Sequence, residues 1–165
     1  MPLPPHRAHA PEADVVITQP LDRIRVGDRH TSRARTITET DLVSFAMFTG
    51  DWHPIHTDVP YAEADPRFRG RIAHGALVLS VALGLVEFDP AAMKAFYGID
   101  ALRFVAPVRI GDTLHVETEV LDVRPRGGDD GADGVVASRF VVLTQHGTEV
   151  LVATLKCLVA KEGAA

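Results

Sequence analysis

Hydrophobic and polar positions along the chain follow one period in its first half and another in its second. Behind the polar opening Thr38-Glu39-Thr40-Asp41 lies an apolar cluster, Leu42, Val43, Phe45, Ala46, Met47 and Phe48. The opening predicts a helix start, with Thr38 capping free backbone N–H groups and the acids facing the positive end of the dipole. Gly50 is placed to end that helix. A polar loop, Asp51 to Asp58, follows, then a short helix over about Pro60–Ala64 with its proline in the first turn. Residues 75–86 are apolar on every face, which predicts a helix surrounded by protein. From Thr113 the period falls to two: Leu114, Val116 and Val120 alternate with His115, Glu117 and Glu119. Residues 135–144 and 150–160 read as further long strands, joined as a hairpin through His146-Gly147-Thr148. A strand over 99–108 leads to the Gly111-Asp112 turn, and an early strand over 31–37 precedes the first helix.

Long antiparallel strands need a buried partner, and the fully apolar helix supplies one. The expectation is an α+β domain whose sheet curls round that helix. Such a sheet keeps an edge strand, and edge strands pair with second copies, so a dimer is expected. No repeat or long interior linker divides residues 14–162, which read as a single domain. Residues 1–13, rich in Pro, Ala and His, have little to bury and predict a disordered leader. Residues 124–134 hold four glycines and three aspartates but lack the terminal glutamate of a calcium loop, and predict a mobile hairpin tip.

Composition narrows the function classes. The chain has 165 residues, is 46% hydrophobic and 24% charged, and carries a formal net charge of -5. That balance argues against nucleic acid or anionic lipid as a partner. Cys157 is the only cysteine, so no intrachain disulfide can form, and a reducing, cytoplasmic setting is expected. The longest apolar stretch, residues 73–88, is interrupted by His74, Ser80 and Glu87 and falls short of the roughly 20 residues a spanning helix needs.

Candidate chemistry concentrates in Gly50-Asp51-Trp52-His53-Pro54-Ile55-His56-Thr57-Asp58. Pro54 pushes residue 53 into an extended conformation and stiffens the loop. A bend can then bring Asp51 and His56 to opposite sides of one water, with imidazole as the proton acceptor near neutral pH. A second reading makes Asp51 the cap of the following turn and leaves the histidines solvated. A third makes Asp51, His53 and His56 metal ligands, although no fourth ligand lies at a familiar spacing.

The next feature is Ala73-His74-Gly75 at the start of the apolar helix. The first N–H groups of a helix have no intrahelical acceptor, and a glycine lets a substrate carbonyl come close. The alternative is a glycine required only for tight packing. Arg67, Arg69 and Arg71 lie just upstream, either to meet phosphates or as a solvated basic cluster. Ser80 has no nucleophile elbow around it and reads as a satisfied hydroxyl. His115 and His146 read as surface residues.

These segments together resemble the MaoC-like dehydratase family of (R)-specific enoyl-CoA hydratases. The resemblance rests on Gly50-Asp51-x-x-Pro54-Ile55-His56-x-Asp58, on Ala73-His74-Gly75 with its helix, and on Tyr97-Gly98-Ile99-Asp100-x-Leu102-Arg103-Phe104-x-x-Pro107-Val108-x-x-Gly111-Asp112. It extends over approximately residues 22–161. It is similar, too, to the hydratase domain of the bifunctional phenylacetate-degradation enzyme. The resemblance implies a hotdog fold, a homodimer or dimer of dimers, and an acyl-CoA thioester as substrate. It implies reversible addition of water across the 2,3 double bond, with Asp51 and His56 as the catalytic pair and Gly75 N–H as donor to the thioester oxygen. No metal or redox cofactor is expected, since coenzyme A is part of the substrate. His53, His74 and Arg71 are the expected substrate-contacting residues. The chain departs from the family pattern at His53, where asparagine is common, and at Leu83, near a serine that some relatives carry. A hotdog thioesterase and a non-catalytic acyl-CoA-binding subunit of a mixed oligomer are the competing functions.

Overall fold

The computed structural model describes residues 19–127 and 131–164, so the expected leader and the centre of the 124–134 tip lie outside it. In chain order the elements are β1 (Arg29–Thr31), β2 (Arg35–Thr36), α1 (Glu39–Thr49), α2 (Pro54–Thr57), α3 (Val59–Ala64), α4 (Gly75–Leu85), β3 (Met93–Phe104), β4 (Thr113–Pro125), β5 (Asp133–Thr144) and β6 (Glu149–Ala160).

The strands form one antiparallel sheet in the order β1-β4-β5-β6-β3, with β2 also on β4. Alternation sets which face is buried. Leu114, Val116 and Val120 of β4, Val136, Phe140 and Val142 of β5, and Leu151 and Leu155 of β6 all point inward. They pack with Leu77, Val78, Ala82 and Leu85 of α4 in one core. This is the sheet-round-a-helix arrangement that the resemblance implies.

α1 begins as its sequence dictates. Thr38 Oγ1 accepts from Asp41 N–H while the Asp41 carboxylate accepts from Thr38 N–H, a reciprocal capping box. Gly50 closes the helix at φ 77°, a left-handed conformation that glycine adopts without strain.

Four expectations are corrected. The early strand is split into β1 and β2, because Ser32 intervenes: its Oγ accepts from Val116 N–H at 2.9 Å. β3 covers 93–104 rather than 99–108. Its register against β6 slips three times, and Ala101 takes a φ of 52°. Beyond Phe104 the chain turns off the sheet toward the start of α4, where Ala73 N–H donates to Val108 O at 2.7 Å. The loop after Gly50 contains an unforeseen turn of helix, α2, begun by Pro54 and capped by His53. Finally, α4 is not enclosed on all sides. A helix laid on one sheet face leaves its far side open, and Ala76, Ser80 and Gly84 are exposed there.

β3 pairs only with β6, leaving its other edge free among the described residues. Phe96, Tyr97, Phe104 and Val105 are exposed along it and just beyond it. No helix of the described residues is long and apolar enough to cross a membrane.

Candidate active site

The segment from Gly50 to Asp58 folds tightly because its polar side chains satisfy its own backbone. Asp51 Oδ1 accepts from His53 N–H at 3.2 Å, and His53 Nδ1 accepts from Ile55 N–H at 3.2 Å. Pro54 occupies the first helical position, where its missing N–H costs nothing. Asp51 thus does cap a turn, as the plainer reading of the loop expects. The same bond orients its carboxylate.

α2 presents His56 toward the segment ahead of α4. Its Nδ1 lies 2.8 Å from Ile72 O. A carbonyl only accepts, so Nδ1 carries the hydrogen, and the neutral ring keeps its lone pair on Nε2. Ile72 N–H in turn donates to Ile55 O, joining the two segments on both sides of His56. Burial lowers the His56 pKa below its usual value, and His74 and His53 lower it further; the Ile72 bond and the Asp51 carboxylate oppose the shift without reversing it. The ring is held as a neutral base.

A third imidazole completes the group. His74 is buried at 2% exposure, its Nε2 lies 3.0 Å from Asp51 O, and its ring stacks on His56 with centroids 3.8 Å apart and planes 28° from parallel. Asp51, His56 and His74 each bring a potential ligand atom within 4.8 Å of the others. The set differs from the expected Asp51, His53 and His56: His53 instead caps α2 and lies 6.1 Å, centroid to centroid, from His56. Imidazole lone pairs lie in the ring planes, and two stacked rings send them along nearly parallel paths. That geometry suits a shared water better than a chelated cation.

The start of α4 adjoins this group. His74 is its N-cap and supplies no side-chain cap, so the first N–H groups of α4 keep their free hydrogens at the positive end of the dipole. Gly75 is tight as well: a Cβ there would sit 2.9 Å from Phe104 Cζ. The packing reading of this glycine therefore finds support, since the ring seats only where no side chain intervenes. Phe104 itself is 53% exposed. It was not among the residues that spacing singled out, because only the turn after β3 brings it here. Beside Phe45, whose ring is 5.1 Å from His74, a groove of about 500 Å³ runs between α1 and α4, lined by Phe48, Leu77 and Val81 among others.

Two of the expected substrate contacts are engaged within the chain itself. His74 is buried behind His56 and has almost no exposed surface to offer. Arg71 is bound bidentately to Glu39 of α1 at 2.8 and 2.5 Å, which ties the approach to α4 onto the start of α1. Arg67 likewise pairs with Asp65. Ser80 Oγ donates to Ala76 O at 2.8 Å, a satisfied hydroxyl, though exposed. His115 lies 3.8 Å from Glu117 and is partly exposed.

Comparison with known proteins places these features in context. The MaoC-like domain family matches residues 25–139. The (R)-specific enoyl-CoA hydratase of Rhodospirillum rubrum is 37% identical over 116 residues, 68% of this chain and 77% of that protein. Protein MaoC of Klebsiella aerogenes is 40% identical over 97 residues, 58% of this chain, but the match spans only 29% of that longer protein. A crystal structure of the MaoC-like dehydratase from Rhodospirillum rubrum superposes with a TM-score of 0.76 at 28% identity, covering 87% of this chain and 97% of that one.

Proposed function

The chain belongs to the MaoC-like domain family, and from that premise we propose that it adds water reversibly across the 2,3 double bond of an enoyl-CoA thioester. The observation that carries this reading is the convergence of the Asp51 carboxylate and a neutral His56 whose Nε2 lone pair is set free by the Ile72 bond. The name of the Rhodospirillum rubrum relative supports the same reaction.

The chemistry follows from the groups in place. A water between Asp51 and His56 gives one hydrogen to the carboxylate and one to Nε2. As its oxygen bonds to C3 of the enoyl chain, the water proton on the imidazole side passes to Nε2. The electron pair of the double bond moves toward C2 and the thioester oxygen. Gly75 N–H, at the positive end of α4, donates to that oxygen as charge gathers there, an interaction worth about 3–4 kcal/mol where such donors have been removed. The proton taken up by Nε2 is then delivered to C2 on the side where the water was held, so that the imidazole is neutral again and the pair ends the cycle as it began. The thioester matters because its carbonyl is what makes the charge at C2 bearable. No metal or redox group takes part, and coenzyme A enters only with the substrate.

The acyl tail has the groove beside Phe45 and Leu77 available to it. A second copy of the chain is the proposed partner, joined along the free edge of β3, where Phe96 and Tyr97 otherwise face solvent. The proposed setting is the cytoplasm. There the lone Cys157 is a core residue, its thiol pushed up to about 11 by burial, and inert.

The test is to incubate the protein with crotonyl-CoA and longer trans-2-enoyl-CoA esters, following both the conjugated enoyl absorbance and free thiol. The proposal expects the absorbance to fall with no thiol released. Thiol release with the conjugation intact would instead mark a thioesterase, and binding without either change a non-catalytic subunit.

A further inference from the structure

His74 is a buried polar side chain held by several contacts, and the reaction outlined above assigns it nothing. Three contacts meet on it. Its Nε2 reaches Asp51 O at 3.0 Å, its ring backs the His56 ring at a centroid distance of 3.8 Å, and its backbone carbonyl begins α4 by accepting from Val78 N–H at 3.1 Å. Asp51 O can only accept, so the hydrogen of a neutral His74 is on Nε2 and its Nδ1 is bare. That Nδ1 is buried and has no hydrogen-bond partner among the described residues.

A bare buried nitrogen is unfavourable compared with an apolar ring of similar size, since it has given up water and gained nothing. Phenylalanine would fill the same space against Phe45 and stack on His56 as well. What it would not do is hold the Asp51 carbonyl. Packing alone therefore leaves the imidazole unexplained, and at 2% exposure it offers almost no surface to a substrate.

We infer that His74 is the positioning residue of this site: its Nε2–H fixes the backbone of Asp51 while its ring face fixes the plane of His56, so that one side chain sets the spacing of the pair. The inference deepens the hydratase reading and rests on it for the kinetic consequence. The two tethers are complementary. Asp51 sits in a loop and is exposed, and His56 lies on a helix of a single turn; neither element is rigid by itself. Both are referred to the N-cap of α4, the helix whose Leu77, Val78, Ala82 and Leu85 pack into the core of the sheet. The same residue precedes Gly75, so the water-holding pair and the N–H donor share one frame. The charged and titratable groups around His56 are Asp51, His53 and His74 itself, and adding a proton to bare Nδ1 would place like charges face to face on His56 and His74.

Two variants separate the contributions. His74→Phe keeps the ring and removes the donor; His74→Gln keeps a donor near the Nε2 position and removes the ring. The expectation is a fall in kcat of about 10- to 100-fold in His74→Phe, as for displacements of a reacting group by an ångström or less, with KM for crotonyl-CoA changed less than about threefold. His74→Gln recovers part of the loss. An unchanged kcat in His74→Phe would make the residue a core filler, and a raised KM at constant kcat would make it a substrate contact; either overturns the inference. A second measurement needs neither activity nor a variant. Nitrogen-15 spectra of histidine-labelled wild-type protein should show one buried histidine whose neutral form carries its hydrogen on Nε2, the tautomer that the Asp51 carbonyl requires of His74. Finding His74 in the Nδ1–H form would overturn the inference even if the protein hydrates enoyl-CoA. Finding the Nε2–H form in a protein that hydrates nothing would leave the positioning intact and remove the reaction.

Discussion

Gly75 and Phe104 are matched by exclusion: a Cβ on the glycine would lie 2.9 Å from Cζ and 3.0 Å from Cε1 and Cε2 of the ring. No real Cβ tolerates that approach, so either the ring or the first turn of α4 must move when the glycine is replaced. The expected result is that Gly75→Ala, which keeps the backbone N–H, lowers turnover about tenfold through misplacement of that donor. Phe104→Ala in the same chain should restore most of it, with a coupling within the roughly 0.5–3 kcal/mol seen for touching residues. Steady-state kinetics of the two single variants and the double variant check this. A Gly75→Ala loss that Phe104→Ala leaves untouched would mean the clash is not its cause.

His56 sets the acid limb of activity. Its folded pKa lies below the usual value of about 6.5, chiefly because burial disfavours the charged ring. The base is therefore more than half neutral at pH 6.5, and the midpoint of the acid limb of kcat/KM should lie below that of a free imidazole. Stability moves in the same direction. A histidine whose folded pKa is depressed costs stability as pH falls through the unfolded value toward the folded one, and costs nothing above it. His30, also lowered by burial, adds to the same window. Melting temperatures between pH 7.5 and 5 should drop less steeply in His56→Gln than in the wild type. Equal slopes would contradict the shift.

Arg71 is predicted to be structural. Its guanidinium is taken up by Glu39, half of whose side chain is solvent-exposed, so the pair contributes no more than about 1 kcal/mol. Arg71→Ala should lower the melting temperature slightly and leave KM for crotonyl-CoA within about twofold, whereas loss of a charge-assisted phosphate contact would raise it tenfold or more.

Much of this architecture is legible in the amino-acid order, and the parts that are not share a physical cause. α1 and its two caps are written locally in Thr38, Asp41 and Gly50, and β4 to β6 in strict alternation, so both can be read without knowing the fold. β3 could not be bounded that way. Its register slips three times against β6, and its outward face holds Phe96 and Tyr97, so no clean alternation marks it. α2 was hidden because a single turn made by Pro54 and capped by an imidazole leaves no periodic trace. At the site, Asp51 and His56 stand out because they are near neighbours on a stiffened loop. The stack of His74 on His56 and the fit of Phe104 to Gly75 join residues apart in the chain: the bonds between Ile72 and the Ile55–His56 turn make the first, and the route from β3 back to α4 makes the second. Uniform apolarity also misled for α4, since it cannot say that the face carrying Ala76, Ser80 and Gly84 lies bare in a single copy.

That bare face and the free β3 edge make association testable. The chain of 17.8 kDa should sediment at twice that mass or a multiple of it. Phe96→Glu with Tyr97→Lys should shift it toward the monomer by placing charge on the pairing edge. A wild-type protein that sediments as a monomer at micromolar concentration would remove the proposed partner.

The pairing of Asp51 with His56 is tested most directly by their isosteric variants. Asp51→Asn and His56→Gln, each folded by circular dichroism, should lose hydration of crotonyl-CoA by several orders of magnitude in kcat, about what removal of a general base together with its water costs. Retention of wild-type turnover in both variants would contradict the account.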